Sequence, residues 1–167
     1  MNVLKFTLAS ALLVVGSSHA AGNLSVTREV TLDSTPATVW KLVGNFNALD
    51  VWHPAISKSE LNGVGTKVGT RRLLTLADNS TQTIIEQLTA YDAKKTSYSF
   101  TIVRGPLPVV NYSSTISLNA TPDGKTLLKW TSTFDAIEGA DTAYATRAVE
   151  GIYDSGLAKL VNNFVRQ

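Results

Sequence analysis

The segment VEGIYDSGLAKLVNNF, residues 149–164, decides the fold that the rest of the sequence must complete. Apolar or small residues recur in it at intervals of three and four positions, and charged residues lie between them. This period predicts a long amphipathic helix with one apolar face, over roughly the last 25 residues of the chain. Asp141 is suited to cap the start of this helix.

Upstream of this helix the sequence has the pattern of a β-sheet. Residues 24–33 alternate apolar and polar side chains, which is typical of a half-buried strand. Turn-forming residues then divide positions 57–137 into strand-like runs. Because short turns join these runs in sequence, we expect an antiparallel meander. The six predicted strands cover residues 58–62, 69–77, 80–91, 96–104, 109–120 and 125–137.

A short helix is predicted between the first strand and the other six. Ser34 and Thr35 offer an N-cap hydroxyl, and Pro36 suits the first helical position. The connection that follows, residues 45–57, is unusually apolar. A strongly curved sheet of seven strands cannot bury its concave face against itself, so the long helix must lie across it. We therefore expect an α+β fold with a cavity between the sheet and the C-terminal helix.

Two charged residues occupy apolar faces of the predicted strands. Arg72 alternates with Leu74, and Glu86 lies between Ile84 and Leu88. A buried charge is costly unless it is paired. The two residues therefore either neutralise each other across neighbouring strands or face water or a ligand. In the second case they would be the polar anchors of an otherwise apolar pocket.

The same alternation turns several aromatic side chains toward the interior. Tyr98 and Phe100 share a face of one strand, while Tyr112 and Trp130 lie on the apolar faces of the two strands that follow. Aromatic rings that carry a hydroxyl or an N–H group can line an apolar site and still orient a ligand. The interior is therefore predicted to be rich in aromatic side chains with polar groups.

His53 lies in the apolar connection, within the motif Trp52-His53-Pro54, at the predicted mouth of the cavity. There its imidazole could donate a hydrogen bond, accept one, or titrate. A single histidine in a loop is more often structural than catalytic, so both roles stay open. Glu86 is the other weak candidate for catalysis.

The composition excludes several classes of protein. The 15 Lys and Arg against 13 Asp and Glu give a net charge of +2, which is too small and too scattered for a nucleic-acid-binding surface. The absence of cysteine excludes disulfides, thiolate metal sites and cysteine nucleophiles. If His19 is removed with the export segment described next, His53 is the single histidine of the mature chain. We predict no metal and no cofactor.

The first 20 residues have the features of a secretory signal peptide. Lys5 precedes an apolar run at residues 6–15, and small residues end the segment at Ala20, where we expect cleavage. The apolar run is too short to span a bilayer. We therefore predict a periplasmic or secreted protein with no membrane span and one mature domain, residues 21–167.

Short motifs along nearly the whole mature chain form a recognisable series. They are Val39-Trp40, Gly44-Asn45-Phe46, Trp52-His53-Pro54, Gly65, Val68-Gly69, Arg72, Glu86-Gln87-Leu88, Asp92, Gly105-Pro106-Leu107-Pro108-Val109, Asn111-Tyr112, Trp130, Gly151-Ile152-Tyr153 and Gly156-Leu157. In this order, from about Leu24 to Phe164, the sequence resembles the bacterial polyketide cyclase/dehydrase-like branch of the START/Bet v 1-like (SRPBCC) superfamily.

The resemblance implies a helix-grip fold, in which a curved antiparallel sheet of seven strands surrounds a long C-terminal helix, with two short helices after the first strand. It also implies a hydrophobic ligand cavity between sheet and helix. Members of the superfamily bind or carry lipids, hormones and pigments, and a minority catalyse cyclisation or dehydration of polyketides. Exported members similar to this chain include an accessory protein of periplasmic methanol oxidation.

Three functions follow from these observations. The first is binding or carriage of an apolar or aromatic small molecule or lipid. The side chains expected to hold that ligand are Trp40, Phe46, Trp52, His53, Arg72, Glu86, Tyr98, Phe100, Tyr112, Trp130 and Tyr153.

The second function is a cyclase, dehydratase or isomerase, in which His53 or Glu86 moves a proton while Tyr98 or Tyr112 polarises a carbonyl. The third is the role of an accessory protein. A periplasmic oxidoreductase would then be the protein partner of this chain. The stiff apolar loop Pro106-Leu107-Pro108 would then contact the partner. The same loop could instead cover the cavity entrance.

Overall fold

The computed structural model describes residues 22–78 and 81–165. The predicted signal peptide, residues 1–20, lies outside the described residues. The elements of the described chain are β1 (Leu24–Leu32), α1 (Pro36–Val43), α2 (Leu49–Trp52), β2 (Ile56–Asn62), β3 (Arg71–Leu76), β4 (Thr83–Asp92), β5 (Ser97–Arg104), β6 (Val109–Ala120), β7 (Thr126–Ala136) and α3 (Thr142–Asn163).

The strands form one antiparallel sheet in the order β1-β7-β6-β5-β4-β3-β2. From β2 to β7 the chain follows the predicted meander, and β1 pairs with β7, so that Val26 lies opposite Ser132. Two short helices follow β1, and the long helix comes last. The predicted α+β helix-grip fold is therefore confirmed.

The strand boundaries differ from the predicted ones by a few residues, for local reasons. β3 begins at Arg71 rather than at residue 69, because Gly69 has a φ of +91° and turns the chain there. β2 begins at Ile56 rather than at residue 58, and a bulge interrupts its pairing before Lys58. Neither irregularity leaves a clear signal in the alternation of apolar and polar residues.

Further irregular pairings bend the sheet. Register shifts occur in the β4–β5 pair between Ile85 and Glu86, and in the β6–β7 pair between Val110 and Ser113. Asn111, in the second of these, has a φ of +52°, a left-handed conformation that asparagine tolerates. Because bulges bend the strands that carry them, the sheet acquires a concave face on which a helix can pack.

α3 packs against this face and closes the core. The carboxylate of Asp141 accepts the Tyr144 N–H at 2.8 Å, so the predicted N-cap is confirmed. On the outer side of the helix, Glu150 and Asp154 pair with Arg28 of β1 at 3.0 and 2.7 Å. The buried face of the helix consists of Ala145, Val149, Tyr153, Gly156, Leu157 and Leu160.

The short helices also start as the sequence predicts. Thr35 is the N-cap of α1, with its hydroxyl accepting the Thr38 N–H at 3.4 Å, and Pro36 is the first helical residue. α2 is a single turn whose Leu49 and Trp52 are buried, so the apolar connection folds against the core. Within residues 22–78 and 81–165, no helix is both long and apolar enough to cross a membrane.

Candidate functional site

A cavity of about 170 Å³ lies between the sheet, the α2 region and α3. Most of its wall is apolar: Leu49, Ala55, Ile56, Leu74, Leu76, Ile84, Ile102, Pro106, Leu107 and Ile152. The side chains with polar atoms on the wall are His53, Glu86, Tyr112 and Trp130. Ala55 and Pro106 are exposed to solvent, which places the open end of the cavity at the α2–β2 and β5–β6 loops.

The inward faces of three neighbouring strands supply the centre of the wall. Leu74, Ile84 and Ile102 lie on β3, β4 and β5 in turn. Glu86 follows Ile84 on the same face of β4, because side chains two positions apart in a strand share a face. In the register of the sheet, Glu86 lies directly opposite Arg72 of β3.

Arg72 and Glu86 form a buried ion pair. The Arg72 Nε donates to Glu86 Oε2 at 2.6 Å, and Nη1 donates to the backbone oxygen of Phe46. The guanidinium carbon also lies 4.1 Å from the centre of the Phe46 ring and 5.2 Å from that of Phe100, a cation–π arrangement. Arg72 is 1% exposed and does not reach the cavity wall. The structure therefore supports the first of the two predicted alternatives, in which the two charges neutralise each other across neighbouring strands. Of the two side chains, only Glu86 lies on the cavity wall.

Glu86 uses one of its two carboxylate oxygens within the protein. Oε2 accepts from Arg72, and among the described residues no hydrogen bond engages Oε1. Burial raises the pKa of Glu86, while the charge and the hydrogen bond of Arg72 act in the opposite direction without cancelling the rise. Oε1 is therefore an acceptor that a bound molecule can use.

The His53 ring lies on the cavity wall next to the open end at the α2–β2 loop, but it is buried rather than exposed to solvent. It is 3% exposed, and its Nε2 lies 3.0 Å from the backbone oxygen of Ile152 on α3. The Ala55 N–H donates to its Nδ1 at 3.2 Å. Since Nδ1 accepts, Nε2 must carry the proton and donate to Ile152, which fixes the neutral tautomer. Burial lowers the pKa of His53 to about 4.

Gly156 explains how the imidazole fits beneath α3. A Cβ atom at this position would lie 2.6 Å from Cδ2 of His53 and 3.3 Å from the Trp130 ring. Glycine therefore gives the ring the space it needs to reach the helix backbone. Because both of its nitrogens are hydrogen-bonded, His53 could act in proton transfer, the predicted catalytic role, only by breaking one of these bonds.

A chain of hydrogen bonds uses the polar atoms of the remaining aromatic wall residues. Trp130 Nε1 donates to Ser114 Oγ at 2.9 Å, and Ser114 Oγ donates to the backbone oxygen of Thr131 at 3.0 Å. Tyr153 lies 3.0 Å from Ser114 Oγ and 2.8 Å from the Tyr112 hydroxyl. Burial raises the pKa of both tyrosines, so both hydroxyls keep their protons.

The residues beside Arg72 form an aromatic cluster, which consists of Trp40, Phe46, Tyr91, Tyr98 and Phe100. The Phe46 and Tyr98 rings meet edge to face, with centroids 5.9 Å apart, and Tyr98 and Phe100 are also 5.9 Å apart. Burial raises the pKa of Tyr98 to about 12. The cluster is packed with rings, whereas the neighbouring cavity is lined by smaller aliphatic side chains.

The structure separates the predicted ligand-binding residues into two groups. Those on the cavity wall are His53, Glu86, Tyr112 and Trp130. Those that pack away from it are Trp40, Phe46, Trp52, Arg72, Tyr98, Phe100 and Tyr153. Strand alternation predicts which side chains point inward, but not which part of the interior they reach. The aliphatic wall was missed, although Leu74 and Ile84 share strand faces with the charged pair.

The β5–β6 loop reaches the open end of the cavity. Pro106 is exposed and Leu107 is half-buried, and both lie on the cavity wall. Of the two predicted roles of this loop, their position agrees with a cover over the entrance. In the described part of the chain, no three metal-ligating side chains come together in a group that could hold an ion.

A family match agrees with this geometry. The sequence model of the family described as "Polyketide cyclase / dehydrase and lipid transport" matches residues 23–165. The chain belongs to this family. The resemblance that the sequence motifs indicate is therefore confirmed. No curated protein matches the chain significantly.

Solved structures of bacterial proteins share the fold. The protein XoxI from Bacillus cereus is 34% identical, with a TM-score of 0.76 over 84% of this chain and 94% of that protein. An uncharacterised protein from Bacillus thuringiensis is 33% identical, with a TM-score of 0.77 over 86% of this chain and 100% of that one. A Thermobifida fusca protein, 24% identical with a TM-score of 0.72 over 84% and 92% of the two chains, shows the fold alone.

Proposed function

We propose that the protein binds a small apolar molecule in the cavity between the sheet and α3. The observation that carries this proposal is the cavity itself, whose wall is aliphatic except for four side chains with polar atoms. Such a wall, with a few placed polar groups, is the usual composition of a small-molecule site. The family description, which includes lipid transport, supports the same function.

The volume limits the size of the ligand. Apolar protein cavities of about 150 Å³ accommodate benzene, whereas sites for larger molecules are typically about 300–1,000 Å³. A cavity of about 170 Å³ therefore suits a molecule of roughly one ring, or the end of a longer molecule that continues through the opening at Ala55 and Pro106. Toluene is a suitable first probe, because it has the right size and no polar group.

Calorimetric titration with toluene, together with a matched pair of variants, tests the proposal. Ile102 lies on the cavity wall, whereas its neighbour Val103 is 45% exposed on the other face of β5. We expect Ile102→Trp to fill the cavity and to weaken toluene binding at least about tenfold. Val103→Trp adds the same bulk outside and should leave the affinity unchanged.

Circular dichroism establishes that both variants are folded, and native mass spectrometry of protein extracted from cells looks for a retained natural ligand. The proposal is wrong if toluene fails to bind the wild-type protein at millimolar concentration. It is equally wrong if the two tryptophan variants bind toluene alike.

We also propose that the ligand is carried in the periplasm or outside the cell. The support for this location is the export pattern of residues 1–20, with Lys5 ahead of an apolar run and small residues up to Ala20. Fractionation of cells and the N-terminal sequence of the mature protein test it. A cytoplasmic protein that retains residues 1–20 would overturn it. A catalysed reaction and a protein partner stay predictions.

A further inference from the structure

The polar atoms of the cavity wall differ in whether they have a free hydrogen-bond donor or acceptor for a ligand. His53 donates through Nε2 to Ile152 and accepts through Nδ1 from Ala55. Trp130 donates its only N–H to Ser114. Both groups are therefore satisfied inside the protein, and neither offers a hydrogen bond to a molecule in the cavity.

The tyrosine hydroxyls also have a fixed direction. We assign the single hydroxyl proton of Ser114 to the backbone oxygen of Thr131, and with this assignment Tyr153 donates to Ser114. With its proton so used, Tyr153 accepts from Tyr112 at 2.8 Å. The proton of Tyr112 therefore points away from any ligand, and its oxygen can only accept.

Glu86 completes the pattern. Its Oε2 is occupied by Arg72, while Oε1 has no hydrogen-bond partner among the described residues and belongs to a side chain on the cavity wall. Arg72 itself is buried behind Glu86, against Phe46 and Phe100, and does not line the cavity. The side chains of the wall thus offer acceptors and no free donor.

We propose that the ligand of this cavity is a compact, neutral, apolar molecule with one hydroxyl group, which it donates to Oε1 of Glu86. The inference rests on the proposed binding function and names its ligand class. Oε1 is not among the buried polar atoms of the described residues that lack a partner, so water can reach it when the cavity is empty. A ligand that covers this oxygen without donating to it would leave a buried acceptor unpaired, which costs free energy, and a ligand hydroxyl avoids that cost. Hydrogen bonds to ionised carboxylates are also stronger than neutral ones.

Charge excludes the ionic alternatives. A ligand carboxylate would lie against the carboxylate of Glu86 and would find no donor on the wall. A ligand ammonium would bring a second cation to a pair that Arg72 already neutralises, and would leave an uncompensated positive charge in an apolar site. The cavity should therefore prefer alcohols or phenols to fatty acids and amines of equal size.

Phenol and toluene form the matched pair of ligands that tests this inference, since a hydroxyl in one replaces a methyl in the other. Calorimetric titration of the wild-type protein at pH 7 should show phenol binding at least as tightly as toluene. In a purely apolar cavity the buried hydroxyl would instead make phenol the weaker ligand. Benzoate and benzylamine should each bind at least about tenfold more weakly than phenol.

A double variant locates the effect at the ion pair. Arg72→Met with Glu86→Leu replaces the pair by apolar side chains, a change that buried ion pairs often tolerate without unfolding. In this variant the preference for phenol over toluene should fall at least about tenfold. If the variant does not fold, the ligand series on the wild-type protein still decides the question.

The outcomes separate the inference from the proposed function. If toluene does not bind the wild-type protein, the proposed function fails. If toluene binds but phenol binds more weakly, or if benzoate or benzylamine binds more tightly than phenol, the function stands and the inference of a hydroxyl ligand is overturned. An unchanged preference for phenol in a folded double variant also overturns it.

Discussion

The aromatic cluster and the cavity meet at a single ion pair, and the interior is filled differently around its two partners. Arg72 lies against the rings of Phe46 and Phe100, where its charge is met by aromatic faces, a backbone oxygen and Glu86. Glu86 lies on the wall of a cavity whose other side chains are mostly aliphatic. Each partner therefore has one atom without a hydrogen bond among the described residues: Nη2 of Arg72 is buried in the protein, whereas Oε1 of Glu86 belongs to a side chain on the cavity wall.

The difference shows that apolar composition alone does not make a binding site. Both regions take inward-facing residues from β4 and β5, and most of the side chains in both are buried. Flat rings 5.9 Å apart fill the aromatic cluster, whereas branched aliphatic side chains leave about 170 Å³ beside Glu86. The polar group that a ligand can use is therefore found in the region with the smaller side chains.

The largest expected effect comes from breaking the ion pair on the packed side. Arg72→Met leaves the Glu86 carboxylate buried without its counter-charge, so we expect the free energy of unfolding to fall by about 3–5 kcal/mol. Urea denaturation measures the loss.

Arg28→Met is the matched control, because Arg28 also pairs with two carboxylates but is one-third exposed. Its loss should stay below about 1 kcal/mol. Equal losses in the two arginine variants would show that burial in the aromatic cluster does not set the strength of the pair.

The second effect concerns His53 on the cavity side and depends on pH. Because the pKa of His53 is lowered to about 4 in the folded protein, the unfolded chain takes up a proton near pH 6.5 that the folded protein excludes. The stability due to neutral His53 should be complete above pH 6.5 and should fall progressively toward pH 4. The total loss is about 3 kcal/mol.

Denaturation of the wild type and of His53→Gln across pH 4–7 isolates the contribution of His53. Both proteins contain the same carboxylates, so the pH dependence due to carboxylate titration cancels in the difference. The difference in unfolding free energy between the two proteins should change with pH in that window. A difference that stays constant would mean that the His53 ring is open to solvent, and that the wall has a donor that the structure does not give it.

The smallest expected effect is a difference in stability between two substitutions that flank Glu86 in β4. Ile84 and Leu88 flank Glu86 on the same face of β4, but only Ile84 lies on the cavity wall, and Leu88 is fully buried. Leu88→Phe should cost about 1–3 kcal/mol through overpacking.

The added atoms in Ile84→Phe can enter the cavity, so this variant should lose less than about 1 kcal/mol while binding toluene more weakly. Thermal or urea denaturation of both variants provides the comparison. Similar losses at the two positions would contradict the presence of usable space beside Ile84.

Much of this architecture could be predicted because its signals are local. The period of residues 149–164 and the capping role of Asp141 depend on neighbours along the chain, and so does the alternation along each strand. The same alternation placed Arg72 and Glu86 on inward faces, since a residue's face in a strand follows from its position alone. The family motifs added the second short helix, α2, which the periodicity did not show.

The candidate site was predicted less well, because its side chains are placed by distant contacts. His53 is buried by a bond to the backbone of Ile152, 99 residues away, and by the space that Gly156 leaves in α3. The interior is divided into an aromatic cluster and an aliphatic cavity by the bulges of the sheet and by the packing of α3 on it. Neither depends on the pattern of neighbouring residues.

By itself, the sequence determined the strands, the long helix and the two inward-facing charges, because the periods of strands and helices are set by backbone geometry. Only the tertiary structure decided that Arg72 is buried away from the cavity while Glu86 lies on its wall. It also decided that His53 is neutral and has both ring nitrogens hydrogen-bonded within the protein. Finally, it decided that the more enclosed cavity lies among aliphatic side chains, whereas the rings of Trp40, Phe46 and Tyr91 line only an open surface pocket. These outcomes depend on which side chains meet across the sheet and beneath the helix, and that depends on distances that no local pattern encodes.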